Sequence, residues 1–456
     1  MPAGRDQVGR GAAAGAARLD DGGRLRVAVD ATPLLGTRTG VAAFCSGALA
    51  GLGARGDLEV RAYALSWRRR HGIVAQLPPG VEAVRRPMPA RPLHRAWRQA
   101  PAPPIEWLVG AVDVVHGTNF VVPPARRAAQ IVTVHDLTAM RFPEMCEPAS
   151  LTFPAQVRRA VSRGAWVHTP SVWVADEVVE MLGVDPARVR AVHHGVPPVG
   201  LAPERAAARG AAGAEPWARG AAGAEPVVGG PAGAGPWARG GAGAGPPERG
   251  AAGAGTGPVG SPGTLPPGTL PKGAGRYVLA LGTVEPRKDL AGLVRAFDLL
   301  APGRPDVALV LAGADGWGAA VLGEAMAASP FRDRIARLGY VRAEVRDRLL
   351  AGAAVFAYPS VYEGFGFPPL EAMVAGVPVV ATRAGALPEV VGDGGELVPA
   401  GDPAALADAL ARVLDDERTA DGLVARGRCR AAGYRWDRCA EGLARLYGDA
   451  VADRRS

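Results

Sequence analysis

The chain alternates between short, nearly continuous apolar runs and longer segments whose apolar positions recur at helical spacing. Leu25–Asp30 (LRVAVD) opens the series. LEVRAYAL from Leu58, VDVVHG from Val112, QIVTVHD from Gln130, AWVHTPS from Ala165 and VRAVHHG from Val189 continue it. Runs of this length that are apolar on both faces predict buried strands rather than helices. Helical patterns lie between some of them, such as SVWVADEVVEML from Ser171, whose serine is placed to cap and whose acids sit near the start. The alternation resumes with YVLALG from Tyr277, DLAGLVRAFDLL from Asp289, VALVLAG from Val307, AAVFAYPS from Ala353 and VPVVAT from Val377. Strand and helix signals in turn predict parallel, doubly wound sheets, and two such series predict two α/β domains.

Between the two series, over roughly 202–275, the pattern collapses into a ten-residue repeat. RGAAGAEPWA from Arg209 is followed by RGAAGAEPVV, GGPAGAGPWA and RGGAGAGPPE. Gly and Pro throughout, with almost nothing to bury, predict a flexible linker, with Trp217 and Trp237 as candidate docking points. The expected organisation is a disordered leader over 1–23, a first domain over 24–201, the linker over 202–275 and a second domain over 276–456. The last helix is a candidate to cross back to the first domain.

Composition sharpens this picture at a few points. At 456 residues the chain is too long for one core, and 48% hydrophobic content is ample for two. Only two lysines, Lys272 and Lys288, stand against 50 arginines, so a lysine is conspicuous wherever it occurs. The net charge of +8 lies almost wholly between Arg24 and Arg190, including Trp67-Arg68-Arg69-Arg70 and Arg85-Arg86. Solvated surface arginine accounts for this, and so does attraction to an anionic acceptor or a peripheral contact with an anionic membrane. No nucleic-acid recognition module or basic helix accompanies the charge, which argues against nucleic acid as a partner. The four cysteines show neither CxxC nor Cys/His spacing, which argues against structural zinc and fits a reducing cytoplasm. No apolar run reaches membrane-span length, and the N-terminal stretch lacks the apolar core of a signal peptide. A cytoplasmic protein, soluble or peripheral at the inner membrane face, is expected.

The chemistry concentrates in YPSVYEGFGFPPLEAMVAGVPVV, Tyr358–Val380. AAVFAYPS ends a strand, and the carboxyl edge of a parallel sheet is where ligands bind. Gly364 and Gly366 permit a sharp turn and a close backbone approach, and Pro368-Pro369 suits the first turn of the helix that follows. Free N–H groups at that helix start would face a phosphate. Glu363 and Glu371 cannot bind phosphate themselves; carboxylates so placed suit the hydroxyls of a sugar and a ribose. At another strand end, GTVEPRKD (Gly282–Asp289) sets Arg287 beside Lys288. A diphosphate needs such neutralisation, whereas cations at a helix start oppose the dipole unless an anion is present.

These segments resemble the retaining, nucleotide-sugar-dependent glycosyltransferase family 4, in its EPRK, mannosyltransferase-like subtype, with the two-domain GT-B fold. Its E-x₇-E element matches as Glu363 and Glu371, and its phosphate-binding segment as Glu285–Lys288. The resemblance implies that Glu363 touches the donor sugar and Glu371 the ribose, and that Gly282, Gly364 and the Phe365-Gly366 backbone line the donor. It places LGYV (Leu338–Val341), with Val341, beside the nucleobase. In the first domain, VDATPLLGTRTGV sets Thr39 and Gly40 nearest the acceptor and phosphates. His116 and His135 lie in two further family segments, with His135 facing the reacting sugar. One departure stands out: the segment that usually ends Asn-Gly-Val-Asp before the interdomain crossing reads His193-His194-Gly195-Val196-Pro197.

The expected function is therefore transfer of a hexose, mannose favoured, from a nucleotide-diphosphate sugar, GDP-mannose favoured, to a glycan, lipid-linked or small-molecule acceptor. The resemblance implies retention by same-face attack, with the leaving phosphate helping to remove the acceptor proton. His135, Glu363, Arg287 and Lys288 are the candidate catalytic group. No Asp-x-Asp element lies near the site, so neither metal nor cofactor is expected. A dehydrogenase would want GxGxxG after its first strand, which LRVAVDATPLLGTRTG does not supply. A nucleotide-sugar epimerase or phosphorylase on the same fold, or a non-catalytic scaffold, are the alternatives; the last would predict a damaged phosphate site.

Overall fold

In the computed structural model, which describes residues 23–36, 39–196, 199, 269–271 and 273–456, thirteen strands form two sheets that are parallel throughout. The decapeptide repeat and all but the last residue of the expected leader lie outside the described residues. The first sheet contains β1 (Leu25–Asp30), β2 (Leu58–Tyr63), β3 (Val81–Ala83), β4 (Val114–Gly117), β5 (Ala129–Thr133), β6 (Trp166–Thr169) and β7 (Val189–Ala191). Its spatial order is β3-β2-β1-β4-β5-β6-β7. The second contains β8 (Arg276–Leu281), β9 (Val307–Ala312), β10 (Ile335–Gly339), β11 (Val355–Tyr358), β12 (Val379–Thr382) and β13 (Glu396–Val398), in the order β10-β9-β8-β11-β12-β13.

Helices cover both faces of each sheet, so β5, β6 and β9 are buried along their whole length, and β9 reads as an unbroken apolar run. β1 runs in register with β2 from Leu25↔Leu58 to Asp30↔Tyr63, and β8 with β9 from Arg276↔Val307 to Leu281↔Ala312. In each sheet the winding reverses beside its first strand: between β1 and β4 in one, between β8 and β11 in the other. A crevice opens at such a reversal, outside the carboxyl ends of the strands. This is the α/β arrangement expected of GT-B. Three strands have no counterpart in the apolar pattern: β3, β10 and β13. All three are sheet edges and are mostly only half-buried, so they carry little apolar signal.

The helix Trp436–Arg455 ends the chain yet packs on the first domain, where Leu443, Tyr447 and Ala450 join Val27, Leu49 and Leu52 in one core. The approach is close because the helix Gly40–Gly53 offers Gly47 and Gly51, one turn apart. A methyl on Gly47 would lie 2.1 Å from the Trp436 ring, and one on Gly51 2.7 Å from the Trp436 carbonyl.

The helix Val172–Leu182 departs from expectation at its start. Ser171 does cap it, accepting the Val174 N–H at 3.3 Å, but its first turn holds no acid. The acids of VADEVVE fall too far along. The negative charge that the exposed N–H groups favour comes instead from the second domain, where Glu389 accepts the Val172 and Trp173 N–H groups at 2.9 and 3.0 Å.

Candidate functional site

At the carboxyl ends of β8 and β11 four charged side chains meet. Glu363 Oε2 pairs with Arg287 Nη1 at 2.8 Å, and Glu363 Oε1 with the Lys288 ammonium. Arg287 Nε pairs in turn with Glu285 at 2.8 Å. The Tyr358 hydroxyl joins the group by donating to Glu363 Oε1 at 2.9 Å and accepting from Lys288. The Ser360 hydroxyl is buried beside them and helps to lower the Glu363 carboxyl. Burial would raise the Glu363 carboxyl, yet Arg287 and Lys288 outweigh it and hold it down at about 2. Burial, reinforced by Arg287, lowers the Lys288 ammonium from its ordinary value in spite of Glu363. Arg287 is also desolvated, but Glu363 and Glu285 more than compensate and keep it charged. Two cations and two carboxylates thus form a group with no net charge where the sheet winding reverses, with Lys288 and Glu363 buried and Arg287 and Glu285 half-buried.

Local structure explains the convergence. Pro286–Lys288 is a single 3₁₀ turn after β8, and the helix Leu290–Leu300 begins only at Leu290, with Asp289 as its cap. Arg287 and Lys288 therefore precede the helix rather than open it, and the anion they require is Glu363 of the same chain. Gly282 is committed to the sheet: its N–H donates to Ala312 at 3.0 Å, and its carbonyl lies where a methyl on Gly313 would be 1.8 Å away. It lies beside Lys288, where a methyl on Gly282 would be 3.7 Å from the lysine chain, and its N–H is not free for a ligand.

The helix Phe367–Val374 starts after Gly366, whose φ of +104° is one that L side chains rarely adopt. Pro368 and Pro369 occupy its first turn and carry no N–H, so of that turn only Phe367 offers a free donor. The expected phosphate cradle at this helix start is correspondingly thin, and the cations carry the larger share. Glu371, buried in this helix, faces Arg346 Nη1 at 3.4 Å. Burial raises its carboxyl and Arg346 only partly offsets that. Val341 packs partly buried against the second core beside the exposed Tyr340. The Phe365 side chain is buried between His194, Phe367 and Tyr434.

The first domain brings His135 opposite this group. It follows β5 and donates from Nε2 to the Thr118 carbonyl at 2.8 Å, which leaves Nδ1 as the bare nitrogen. Burial lowers it from the ordinary histidine value, so it is neutral near pH 7. Thr39 caps its own helix, accepting the Ala42 N–H at 3.4 Å, and a methyl on the next residue, Gly40, would lie 3.5 Å from the Phe367 ring of the second domain. His116 does not. It is fully buried with both nitrogens engaged, and its expected place among acceptor or phosphate contacts is corrected to one in the core.

His116 belongs to a chain of hydrogen bonds with a single possible direction. The Val192 carbonyl can only accept, so His168 Nε2 donates to it at 3.2 Å. His168 Nδ1 then accepts from the Thr133 hydroxyl at 2.9 Å, Thr133 accepts from His116 Nε2 at 2.8 Å, and His116 Nδ1 accepts from the Tyr447 hydroxyl at 2.7 Å. The chain requires neutral imidazoles. Burial supplies them, holding His168 at about 3 and His116 well below its ordinary value. His194, from the departing segment, stacks between Phe44 of the first domain and Phe367 of the second, at 4.2 and 5.5 Å. Both its nitrogens are buried without a hydrogen bond among the described residues.

Several residues that sequence reasoning passed over hold the two halves together. The Tyr362 hydroxyl accepts the Leu137 N–H at 3.0 Å and donates to Glu177, which Arg141 also engages at 2.6 Å. Ser171 donates to the Gly364 carbonyl at 2.8 Å, and Glu389 binds His193 at 2.6 Å. A methyl on Gly364 would lie 1.9 Å from the His135 carbonyl, so the glycine is what lets the two sheet edges close. Tyr358 and Tyr362 stood within the quoted stretch, five and one positions before Glu363. Glu285 stood in the EPRK segment without a role of its own, and nothing local marked Arg346, Glu177 or Glu389. Among the described residues no three His, Cys, Asp or Glu side chains form a metal-binding group, and no helix is long and apolar enough to cross a membrane.

A family model described as Glycosyltransferase Family 4 matches residues 39–199, and one described as Glycosyl transferases group 1 matches residues 275–416. The chain is 41% identical over 164 residues to the O-antigen chain mannosyltransferase B of Escherichia coli. That match covers 36% of this chain and 43% of the relative, so the chain spans less than half the length of that curated relative. Among solved structures, sucrose-phosphate synthase of Thermosynechococcus elongatus superposes with a TM-score of 0.62 at 18% identity, over 93% of this chain and 98% of that one. HepE of Anabaena in complex with UDP-glucose superposes with a TM-score of 0.59 at 15% identity, over 92% and 99%. At these identities the likeness is one of fold, and that fold is GT-B.

Proposed function

We propose, from the premise that the chain belongs to glycosyltransferase family 4, that it transfers a hexose from a nucleotide-diphosphate sugar to a glycan, lipid-linked or small-molecule acceptor, with retention and without a metal ion. The observation that carries this reading is the buried group Arg287–Lys288–Glu363 at one sheet's winding reversal, closed over by His135 of the other. Arg287 and Lys288 take the diphosphate as a fork and a point charge, stabilising it as it leaves. Glu363 positions the donor sugar and Glu371 accepts from the ribose. His135, neutral and with Nδ1 bare, accepts from a sugar hydroxyl. Acceptor attack comes from the Thr39-Gly40 side once the domains are closed.

Mannose from GDP-mannose is the favoured donor, because the E. coli relative of 41% identity is named as a mannosyltransferase. The HepE structure was solved with a nucleotide sugar, which supports that class of co-substrate. A cytoplasmic location with peripheral contact to an anionic membrane is the accompanying proposal. It rests on Arg68 and Arg69 beside Trp67, which is 58% exposed, and on Trp107, which is 61% exposed.

The test is binding and slow hydrolysis across a panel of nucleotide sugars, with and without a chelator, for the wild type and Glu371→Ala. Saturable binding of one donor that survives chelation and is lost in the variant supports the reading and names the sugar. Chelator-sensitive turnover removes metal independence, epimerised product replaces transferase by epimerase, and a folded protein that binds no donor overturns the assignment. Sedimentation with anionic vesicles tests the membrane contact separately.

A further inference from the structure

We infer that Tyr358 is a positioning residue for the donor sugar, and that the ion pairs of Glu363 are exchange contacts which an incoming diphosphate takes over. The inference rests on the site reading above and goes beyond it in saying how the parts work together. As it stands, the group is balanced: Arg287 and Lys288 face Glu285 and Glu363. A diphosphate that simply joined it would find both cations already paired with carboxylates. Each cation keeps an anionic partner in its present geometry if phosphate oxygens replace the Glu363 carboxylate on Arg287 Nη1 and Lys288 Nζ. Phosphate binding thereby frees Glu363 to accept from hydroxyls, and sugar recognition is coupled to occupancy of the phosphate position.

A buried carboxylate released from both cations would be costly unless something still held it. Tyr358 is built to do so. Its hydroxyl donates to Glu363 Oε1 at 2.9 Å while accepting from Lys288, and the Lys288 ammonium lies 4.6 Å from the centre of its ring. The tyrosine is buried, and burial next to Glu363 pushes its hydroxyl well above the ordinary value, so it remains a donor. It sits at the end of β11, the strand that also leads to Glu363, on a rigid element rather than a loop. During the exchange it keeps one carboxylate oxygen in place while the other turns from cation to sugar.

The experiment measures, by calorimetry on the full chain, the affinities of inorganic pyrophosphate, GDP-mannose and UDP-glucose for the wild type, Glu363→Gln and Tyr358→Phe. Melting curves confirm that each variant is folded. Removing the competing carboxylate should tighten pyrophosphate by roughly tenfold or more in Glu363→Gln, while the nucleotide sugar loses its preference over pyrophosphate. Tyr358→Phe keeps the ring and its contact with Lys288. It should weaken the nucleotide sugar by roughly 10- to 100-fold and leave pyrophosphate within about twofold. A merely structural tyrosine would move both probes by one factor, and that result overturns its positioning role. Unchanged or weaker pyrophosphate binding in Glu363→Gln overturns the exchange. Should the wild type bind none of the three probes, the site reading falls and takes this inference with it. The two variants are independent, so failure of one to fold leaves the other to decide.

Discussion

The two sheets reverse their winding in the same way and fill the resulting crevices with opposite chemistry. Beside the first reversal, between β1 and β4, runs a chain of neutral groups: Tyr447, His116, Thr133 and His168 pass hydrogen bonds in one direction to a backbone carbonyl. At the second, between β8 and β11, they are charged, with two cations and two carboxylates locked together. A satisfied neutral chain in a dry interior holds its partners in one arrangement and offers nothing to a ligand. Buried ion pairs contribute little net stability, because desolvation consumes most of the Coulombic gain, but they present charges that another anion can claim. The first arrangement ties the last helix to the first domain; the second is poised for exchange with a diphosphate.

The contrast predicts which changes matter most. Arg287→Ala removes the fork and leaves Glu363 without its guanidinium partner, and kcat/KM for the donor should fall by roughly 100- to 1,000-fold. Steady-state kinetics on purified protein checks this, and a loss below tenfold would move the phosphate position elsewhere. Gly364→Ala should cost roughly 100-fold in kcat, because its methyl cannot share space with the His135 carbonyl 1.9 Å away. Small-angle scattering should then show a larger radius of gyration, with the second domain's own packing intact.

Acid separates the two crevices. In the unfolded chain a histidine takes up a proton as the pH falls through about 6.5. In the fold, burial keeps His116 and His194 neutral well below that and His168 neutral to about 3. Over that window the unfolded state binds more protons, so stability falls with falling pH, by about 1.4 kcal/mol per pH unit for each such histidine. Asp30, raised by burial to about 6, opposes this: its contribution improves as the pH falls from about 6 toward the ordinary carboxylate value. Glu363, held at about 2, begins to lose its stabilising share only below the ordinary carboxylate value and has lost it below about 2. Hydrogen exchange between pH 6.5 and 5 should therefore show the first domain loosening before the second. The smallest effect is that of Tyr447→Phe, which leaves His116 Nδ1 without its donor. It should cost about 1–3 kcal/mol, seen as a melting point lower by several degrees, with turnover per folded molecule unchanged.

Much of this was legible in the linear chain because it is local. Strands buried on both faces announce themselves as apolar runs, and only the half-exposed edges β3, β10 and β13 escaped. Glu363, Gly364, Gly366 and Glu371 lie within nine residues of one another, so their shared turn and helix could be read together. The misreadings share one cause: each involves a partner distant in sequence. His116 looked like a site residue because nothing near it in sequence reveals Tyr447, 331 positions away. The helix start at Val172 seemed to want its own acids, and Glu389 supplies the charge from more than two hundred residues on. The same distance hid that the cations beside the helix start already hold an anion, Glu363, 75 positions beyond Lys288.

From its sequence alone, then, the protein was determined to have two parallel α/β units, a carboxylate pair on a glycine turn and a cation pair at another strand end. Hydrophobic period and backbone preference act over a few residues and are written in neighbouring positions. Tertiary structure alone decided which of these groups are charged, which are satisfied and which remain open to a ligand. A side chain's ionisation and free hydrogen-bonding capacity depend on how much water is removed and on which partners the fold brings within 3 Å, and no stretch of contiguous sequence contains both.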